Sequence, residues 1–400
     1  MHSASPLTGA TPRFRPTGRT IMIMLITGIF AASTPISAQS GSRQESAAKA
    51  TALRLALRVA LGEHGQRSLE AATAMANLAS CLHDMAEYDE AEGLYRTVLV
   101  VREGLLDPQD AKVGITLNNL TWTLVAKGSF PEAEDAIRRA RAIGIKHNGT
   151  RSDIVGLRTN TLTAVLFYQG KLDEAEHYCR ANLAMWEELD SASPGNVLGT
   201  LGSLSSILQK KKQFVEAEKI ARVVLDLDVK HLGVRSENYA RDLVNLATIL
   251  RDANKMDEAE QVARKAHARC ITNFGQNHPH TTKGQITLAG ILRARGELEE
   301  AEKLARQAVA TSRRYSSERP FEIAGSLHGL AQVLRSKGEW AEAEQVGSQA
   351  LQLFAEQVQE NRRDSTLLEA AKQNYIEILR KRNVSESDIE DKVRALVHLE

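Results

Sequence analysis

Leucines recur along this chain at a fixed long interval. One position is filled by Leu78, Leu120, Leu162, Leu204, Leu246, Leu288 and Leu330, and another, four residues on, by Leu82, Leu124, Leu166, Leu208, Leu250, Leu292 and Leu334. Successive copies lie 42 residues apart throughout. Residues four apart share a helical face. Each leucine pair, with Met75 and Ala79 beside the first, therefore predicts an amphipathic helix, running about Thr73 to Met85 in the first copy. A second apolar marker follows at Tyr88, Phe130, Leu172, Phe214, Met256, Leu298 and Trp340. It stands just ahead of the tripeptide Glu-Ala-Glu, whose alanine is Ala91, Ala133, Ala175, Ala217, Ala259, Ala301 and Ala343.

The two markers define a unit of two helices joined by a tight turn. The turn position reads Ala86, Gly128, Gly170, Lys212, Asn254, Gly296 and Gly338. Four glycines and an asparagine suit a left-handed residue that ends the first helix. Ala86 and Lys212 call for strain or for a different turn. The small alanine of the tripeptide lets the two helices approach. Its glutamates fall in the first turn of the second helix, where the helix dipole favours negative charge. A catalytic carboxylate pair would occur once, so capping of helix ends is the role expected of a pair that occurs seven times.

A two-helix unit cannot cover its own apolar side, whereas stacked units cover one another. The expected fold is all-α, a right-handed α-α superhelical solenoid of helix-turn-helix repeats. Seven repeats span residues 68–362. Residues 39–67 read as an N-terminal capping half-repeat helix, with Ala56 in the slot of Ala308, and residues 363–400 as C-terminal capping helices around Tyr375, Ile378 and Leu379.

Composition supports helices: prolines number nine and aromatic residues make up 4%. Net charge is +1, and residues 1–38 supply Arg13, Arg15 and Arg19 with no acid. Near-neutrality provides no global field for nucleic acid. Those arginines precede an apolar run from Ile21 to Ala32, and Thr34-Pro35-Ile36-Ser37-Ala38 offers a cleavage site after Ala38. This is the pattern of an export signal, with a periplasmic or secreted destination. The run falls short of the roughly 20 residues of a membrane span; an uncleaved N-terminal anchor is the alternative. Cys81, Cys179 and Cys270 fall in units two apart, beyond the roughly 7 Å that a disulfide bridges, so three buried thiols are expected. There is no phosphate loop, nucleophile elbow, His-Glu-x-x-His or Cys-x-x-Cys, and His278 and His280 lack a third ligand nearby. No enzyme activity, cofactor or metal is expected.

The Leu-Ala-x-x-Leu…Gly…Glu-Ala-Glu pattern at a 42-residue period resembles the tetratricopeptide repeat family, and most of all its kinesin-light-chain subtype. The loop Phe274-Gly275-Gln276-Asn277-His278-Pro279-His280-Thr281 is similar to the inter-repeat loop of that subtype. The resemblance covers about Ser68 to Arg362. It implies a concave groove lined by the first helices that receives peptides or partner segments. Cargo transport does not follow from it, because the N-terminal segment reads as an export signal.

A helical wheel of the first unit buries Met75, Leu78, Ala79 and Leu82 and turns Thr73, Ala76, Asn77, Ser80 and Asp84 the other way, with His83 on the flank. The slot of Asn77 continues as Asn119, Thr161, Ser203, Asn245 and Thr287. Small hydrogen-bonding side chains in line suit an extended peptide whose backbone groups need partners, a use the resemblance also implies; bonding to neighbouring helices is the other reading. The slot of His83 continues as Val125, Phe167, Gln209, Arg251, Arg293 and Arg335. With Arg241 and Lys283 it forms a basic stripe in units five to seven, while Trp122, Val125, Phe167 and Tyr168 form an aromatic region in units two and three. Arginines flanked by acids such as Asp252 can also be neutralised within the protein. The expected function is an exported scaffold holding a protein or peptide that offers an apolar anchor and an acidic segment. Nucleic acid is not an expected partner, and a membrane is one only if the N-terminal segment stays attached. The alternative is a self-associating structural subunit of an envelope assembly.

Overall fold

A computed structural model describes residues 36–85, 87–189, 193–276, 278–315, 320–361 and 366–397. Among them every regular element is a helix. The first, α1 (Ile36–His64), precedes seven hairpins: α2 (Leu69–Asp84) with α3 (Tyr88–Leu105), α4 (Ala111–Ala126) with α5 (Phe130–Asn148), α6 (Asp153–Tyr168) with α7 (Leu172–Glu188), and α8 (Pro194–Lys210) with α9 (Phe214–His231). Then come α10 (Glu237–Asp252) with α11 (Met256–Phe274), α12 (Pro279–Arg295) with α13 (Leu298–Tyr315), and α14 (Pro320–Lys337) with α15 (Trp340–Asn361). Helices α16 (Thr366–Lys381) and α17 (Glu386–Val397) end the described chain. Each helix packs chiefly on its neighbours in sequence, which makes the chain an all-α solenoid. The apolar run of the export-signal reading lies outside the described residues. No helix among the described residues is long and apolar enough to cross a membrane.

Both leucine slots are buried in every unit, and the alanine of each tripeptide is fully enclosed. The first helices start on a cap that keeps the 42-residue step except at Ser193, which stands one residue early. The side chains of Ser68, Asp110, Ser152, Ser193, Ser236 and His278 each accept a backbone N–H two or three residues on, meeting one of the unpaired donors at a helix start. In the His278-Pro279 loop the imidazole takes the place of serine, with Nδ1 accepting from His280 N at 3.2 Å. First helices end as the turn residues predict. Gly128, Gly170, Gly296 and Gly338 have positive φ, and so do Asn254 and Lys212 at 61°. Lys212 therefore holds the same turn under strain rather than forming another. Ala86 lies outside the described residues. In α1, Ala56 is exposed, unlike buried Ala308; Leu53, Leu57 and Leu61 make the contact with the first hairpin instead.

The first glutamate of each tripeptide lies in the first turn of its helix, as the dipole favours, and the pair also has a longer-range role. The residues opening the second helices, Glu87, Ser129, Lys171, Gln213 and Lys255, make no side-chain cap, and the tripeptide carboxylates bind across units. Arg54, Arg96, Arg138, Arg180, Arg222, Arg264 and Arg306 reach Glu90, Glu132, Glu174, Glu216, Glu258, Glu300 and Glu342 of the following unit. From Arg96 onward each also holds the second glutamate of its own unit, from Glu92 to Glu302. A cation at the next turn closes each rung: Lys127, Lys171, Lys211, Lys255, Arg295 and Lys337. The arginines are a third to a half exposed, so a single pair contributes at most about 1 kcal/mol. The second glutamates are largely covered and are each held by two cations.

Inside each junction sits a further pair, always 14 residues apart but never repeated. Arg102 donates to Thr116 at 2.7 Å. Arg158 fills the space above Gly144 and donates to Ala140 O at 2.5 Å. The Trp186 indole N–H donates to Thr200 Oγ1 at 3.1 Å. Asp228 meets Asp242, Cys270 lies over Gly284, Ser312 bonds Ser326 at 2.6 Å, and Phe354 and Leu368 share one apolar cluster.

Candidate partner-binding groove

First helices of neighbouring units approach one another, whereas second helices of the seven units hardly do. The first helices therefore form the inner wall, and the exposed part of their surface is the groove. Arg241 and Arg251 are ten residues apart on α10, as are Lys283 and Arg293 on α12. At 1.5 Å per residue that is about 15 Å. The single basic stripe expected from the sequence is thus two rows, one along each rim, with Asn245 and Thr287 between them.

The rim nearer the turns carries Arg251, Arg293 and Arg335 on α10, α12 and α14. Arg251 binds Asp252 at 2.8 Å, and Asp252 also accepts from Gln209 at 2.7 Å. Arg335 pairs with Glu377 of α16, which occupies the same slot one period further on. Arg293, between them, has no acid partner among the described residues, and its buried Nε is unbonded. Burial lowers its pKa, and the charges of Arg335 and Arg251 add to the effect. An unpaired guanidinium in that setting attracts an anion strongly. His328 below it is held neutral, its pKa lowered to about 4 by burial and then by Arg335 and Arg293. On the opposite rim Arg241 lies 3.5 Å from Asp242. Lys283 is solvent-accessible, and its pKa is lowered by the crowding around it and then by Arg241.

In the central slot Asn77 is exposed, Thr161 is buried, and Asn119, Ser203, Asn245 and Thr287 are half-buried. Thr161 and Ser203 donate to carbonyls in their own helices, at 3.2 and 2.9 Å, which leaves their oxygens as acceptors. Asn245 donates to Asp242 at 3.3 Å. Asn119 alone reaches another helix, where it bonds the Tyr95 hydroxyl.

The aromatic set divides. Tyr168 stacks on Phe130, ring centroids 5.6 Å apart, and Phe167 meets Tyr168 edge-on at 5.8 Å. Tyr168 thus serves packing between turns of units two and three. Trp122 is half-buried and joins neither ring. The apolar end gains two residues that the sequence reading missed: Ile115 and Leu157, 51% and 38% exposed. They fill the slot of Arg241 and Lys283 in units two and three, and an apolar residue left exposed at a recurring groove position was their available signal. No group of three metal-ligating side chains occurs among the described residues. The three cysteines are buried; burial raises the pKa of Cys179 to about 12 and that of Cys270 to about 11, which suits packing over thiolate chemistry.

Tetratricopeptide repeat profiles match this chain over residues 51–146, 238–314 and 280–356, and a second over 158–189. The chain belongs to the tetratricopeptide repeat family. Among solved structures it is similar to the quorum sensor NprR from B. thuringiensis, at 14% identity over 79% of this chain and 84% of that one, with a TM-score of 0.58. It is similar to RapI at 12% identity over 84% and 98%, TM-score 0.51. A putative kinesin light chain with nearly identical TPR-like repeats from Podosopora anserina matches at 18% identity over 50% and 94%, TM-score 0.45. No curated protein matches. The fold is one typical of protein–protein interaction scaffolds, and proteins of this family are generally not enzymes.

Proposed function

We propose that this protein is an exported scaffold that holds a peptide or protein segment in the groove of its first helices, with an acidic side chain of the guest on Arg293. The observation that carries this reading is that Arg251 and Arg335 are neutralised internally while the guanidinium between them is not. Ile115 and Leu157 supply the apolar contact further along the same wall. The small polar residues between the rims present acceptors to an extended backbone. That NprR is a quorum sensor is consistent with a fold that receives small guests.

Selection from a displayed random-peptide library tests the groove. Enriched peptides are expected to carry Asp or Glu beside apolar residues, to weaken with added salt, and to bind Arg293→Glu at least about tenfold less well, a loss of about 1.4 kcal/mol. Peptides without acidic enrichment, or with equal affinity for the variant, reject the reading. For export, the mature protein is expected to begin after Ala38; an N-terminal sequence starting at Met1 in the cytoplasm refutes it. One observation favours the second reading, self-association: Leu55 and Val59, 57% and 49% exposed, form an apolar pair one turn apart on α1. A mass that rises with concentration and falls in Leu55→Glu supports it.

A further inference from the structure

We propose that the junction between the fourth and fifth units is a proton-held hinge, in which Asp228 and Asp242 share one proton when closed and separate when that proton leaves. Asp228, on α9, is completely enclosed, and neither of its carboxylate oxygens receives a hydrogen bond from any described group. Asp242, on α10, is nearly as covered but accepts from Asn245 Nδ2 at 3.3 Å and has the Arg241 guanidinium as an ion-pair neighbour at 3.5 Å. The charge therefore belongs on Asp242 and the proton on Asp228, whose O–H donates to its partner. Two ionised carboxylates side by side in an enclosed site repel, and water is not there to screen them.

The other charged groups do not relieve the pair. From α10, Asp242 and Arg241 face Asp228, and Arg241 is engaged with Asp242. Helix α8, packed on the same side, carries one charged residue, Lys210, at its far end. Arg235 in the connecting loop is exposed. Beyond α10, Lys283 of α12 lies near Asp242 and Arg241. Burial, then the Asp242 carboxylate, raises the pKa of Asp228 far above the ordinary range, against a smaller opposing effect of Arg241.

The sign follows. An acid that holds its proton more tightly when folded stabilises the closed junction at acidic pH. That contribution declines as pH rises from the ordinary carboxylate range through the raised folded value. No titratable pair stands in the corresponding places at Trp186–Thr200 or Ser312–Ser326, so the response is confined to one joint. That joint separates the units bearing Ile115 and Leu157 from those bearing Arg241 to Arg335. Its opening changes the placement of the apolar half of the groove relative to the basic half.

Amide hydrogen exchange on the full chain at pH 6 and pH 8, corrected for intrinsic rates, tests the hinge. Protection at the end of α9 and the start of α10 is expected to fall about tenfold in all between these pH values, because the contribution is exhausted above the raised value of about 7, while the Ser312–Ser326 junction stays unchanged. Asp228→Asn is expected to remove this pH dependence and Asp242→Asn to weaken it, since burial alone still raises Asp228. The proposal is overturned if protection in the wild type is the same at both pH values, if the control junction loses protection equally, if Asp228→Asn keeps the dependence, or if Asp242→Asn leaves it undiminished. Should a variant fail to fold, the comparison of junctions within the wild type decides.

Discussion

Gly156 offers a test of how the units lock together, because replacing it with alanine sets two large effects against each other. In a helix interior alanine is favoured over glycine by about 1 kcal/mol, and Gly156 lies within α6. A Cβ there would stand 2.2 and 2.3 Å from Trp186 Cζ2 and Cη2 and 2.6 Å from Met185 Cε. Ordinary carbon contacts lie near 3.5–4.0 Å, so the indole must move by more than about 1 Å. It has little freedom to do so: Trp186 is 1% exposed and donates to Thr200 across the junction, and Asn182 ties the Gly156 carbonyl at 3.0 Å. Overpacking typically costs about 1–3 kcal/mol, and losing the indole hydrogen bond adds about 1 kcal/mol. After the helix-propensity gain, Gly156→Ala is expected to destabilise by about 1–3 kcal/mol. Gly199→Ala and Gly202→Ala in α8, where nothing lies within 4 Å of the new Cβ, should instead stabilise by up to about 1 kcal/mol. Urea unfolding followed by circular dichroism supplies the totals. Hydrogen exchange locates the loss, because a solenoid can open in segments. In a Trp186→Leu background the penalty at Gly156 should largely vanish. If Gly156→Ala is as stable as Gly199→Ala, the account of this junction is wrong.

Other consequences are smaller or broader. Lys212 has φ of 61° and is exposed, and a left-handed non-glycine residue costs roughly 1–2 kcal/mol; Lys212→Gly should raise the urea midpoint by an amount equivalent to about 1 kcal/mol, and a lowered midpoint would contradict the strain. Glu176 and Glu302 have lowered pKa values, through Lys211 and Lys337 first and then Arg180 and Arg306. Their contribution is present above the ordinary carboxylate value and lost as pH falls through the folded one, so thermal stability should drop as pH falls below the ordinary glutamate value of about 4.3, and an unchanged melting temperature there would refute the ladder's contribution. Deleting 237–278 joins Ser236 to Pro279, keeps the outer rungs in register and places Asp228 over Gly284. The shortened chain should be destabilised beyond the loss of one unit and regain stability with Asp228→Cys, which recreates the Cys270–Gly284 pairing; equal stability of the two shortened chains would argue against junction-specific pairs.

The hairpins were legible because their causes repeat. A core position must be apolar in every unit, so Leu78 to Leu330 declare themselves, and a left-handed turn selects glycine or asparagine wherever it recurs. The outer ladder was equally periodic, with arginine every 42 residues from Arg54 to Arg306, yet glutamate in a first turn already has a sufficient local explanation in the helix dipole. The long-range partner is visible only when two periodic rows are set side by side. The groove was legible in composition but not in layout. A helical wheel superposes Arg241 and Arg251 on one face and hides the distance along the axis, which is why one expected stripe proved to be two rims. Neutralisation of Arg335 by Glu377 was missed because the visible period stops with the last tripeptide, at Ala343. One further step of 42 from Arg335 nonetheless lands on that acid.

The two kinds of junction contact divide the work of assembly. The outer rungs are chemically alike at every step, so they favour any second helix lying beside any other and cannot choose among neighbours. The inner pairs differ at every step and are enclosed, so an incorrect neighbour leaves a buried group without its complement. Arg102 placed against Leu368 would lose its hydroxyl acceptor, and Trp186 placed against Arg158 would have no Gly144 to make room. An unmatched buried polar group costs more than a surface ion pair returns, so the variable pairs outweigh the uniform ladder in deciding order. A chain of seven near-identical hairpins thereby acquires one preferred stacking. The same variability lets one joint, at Asp228 and Asp242, carry a chemistry that its neighbours lack.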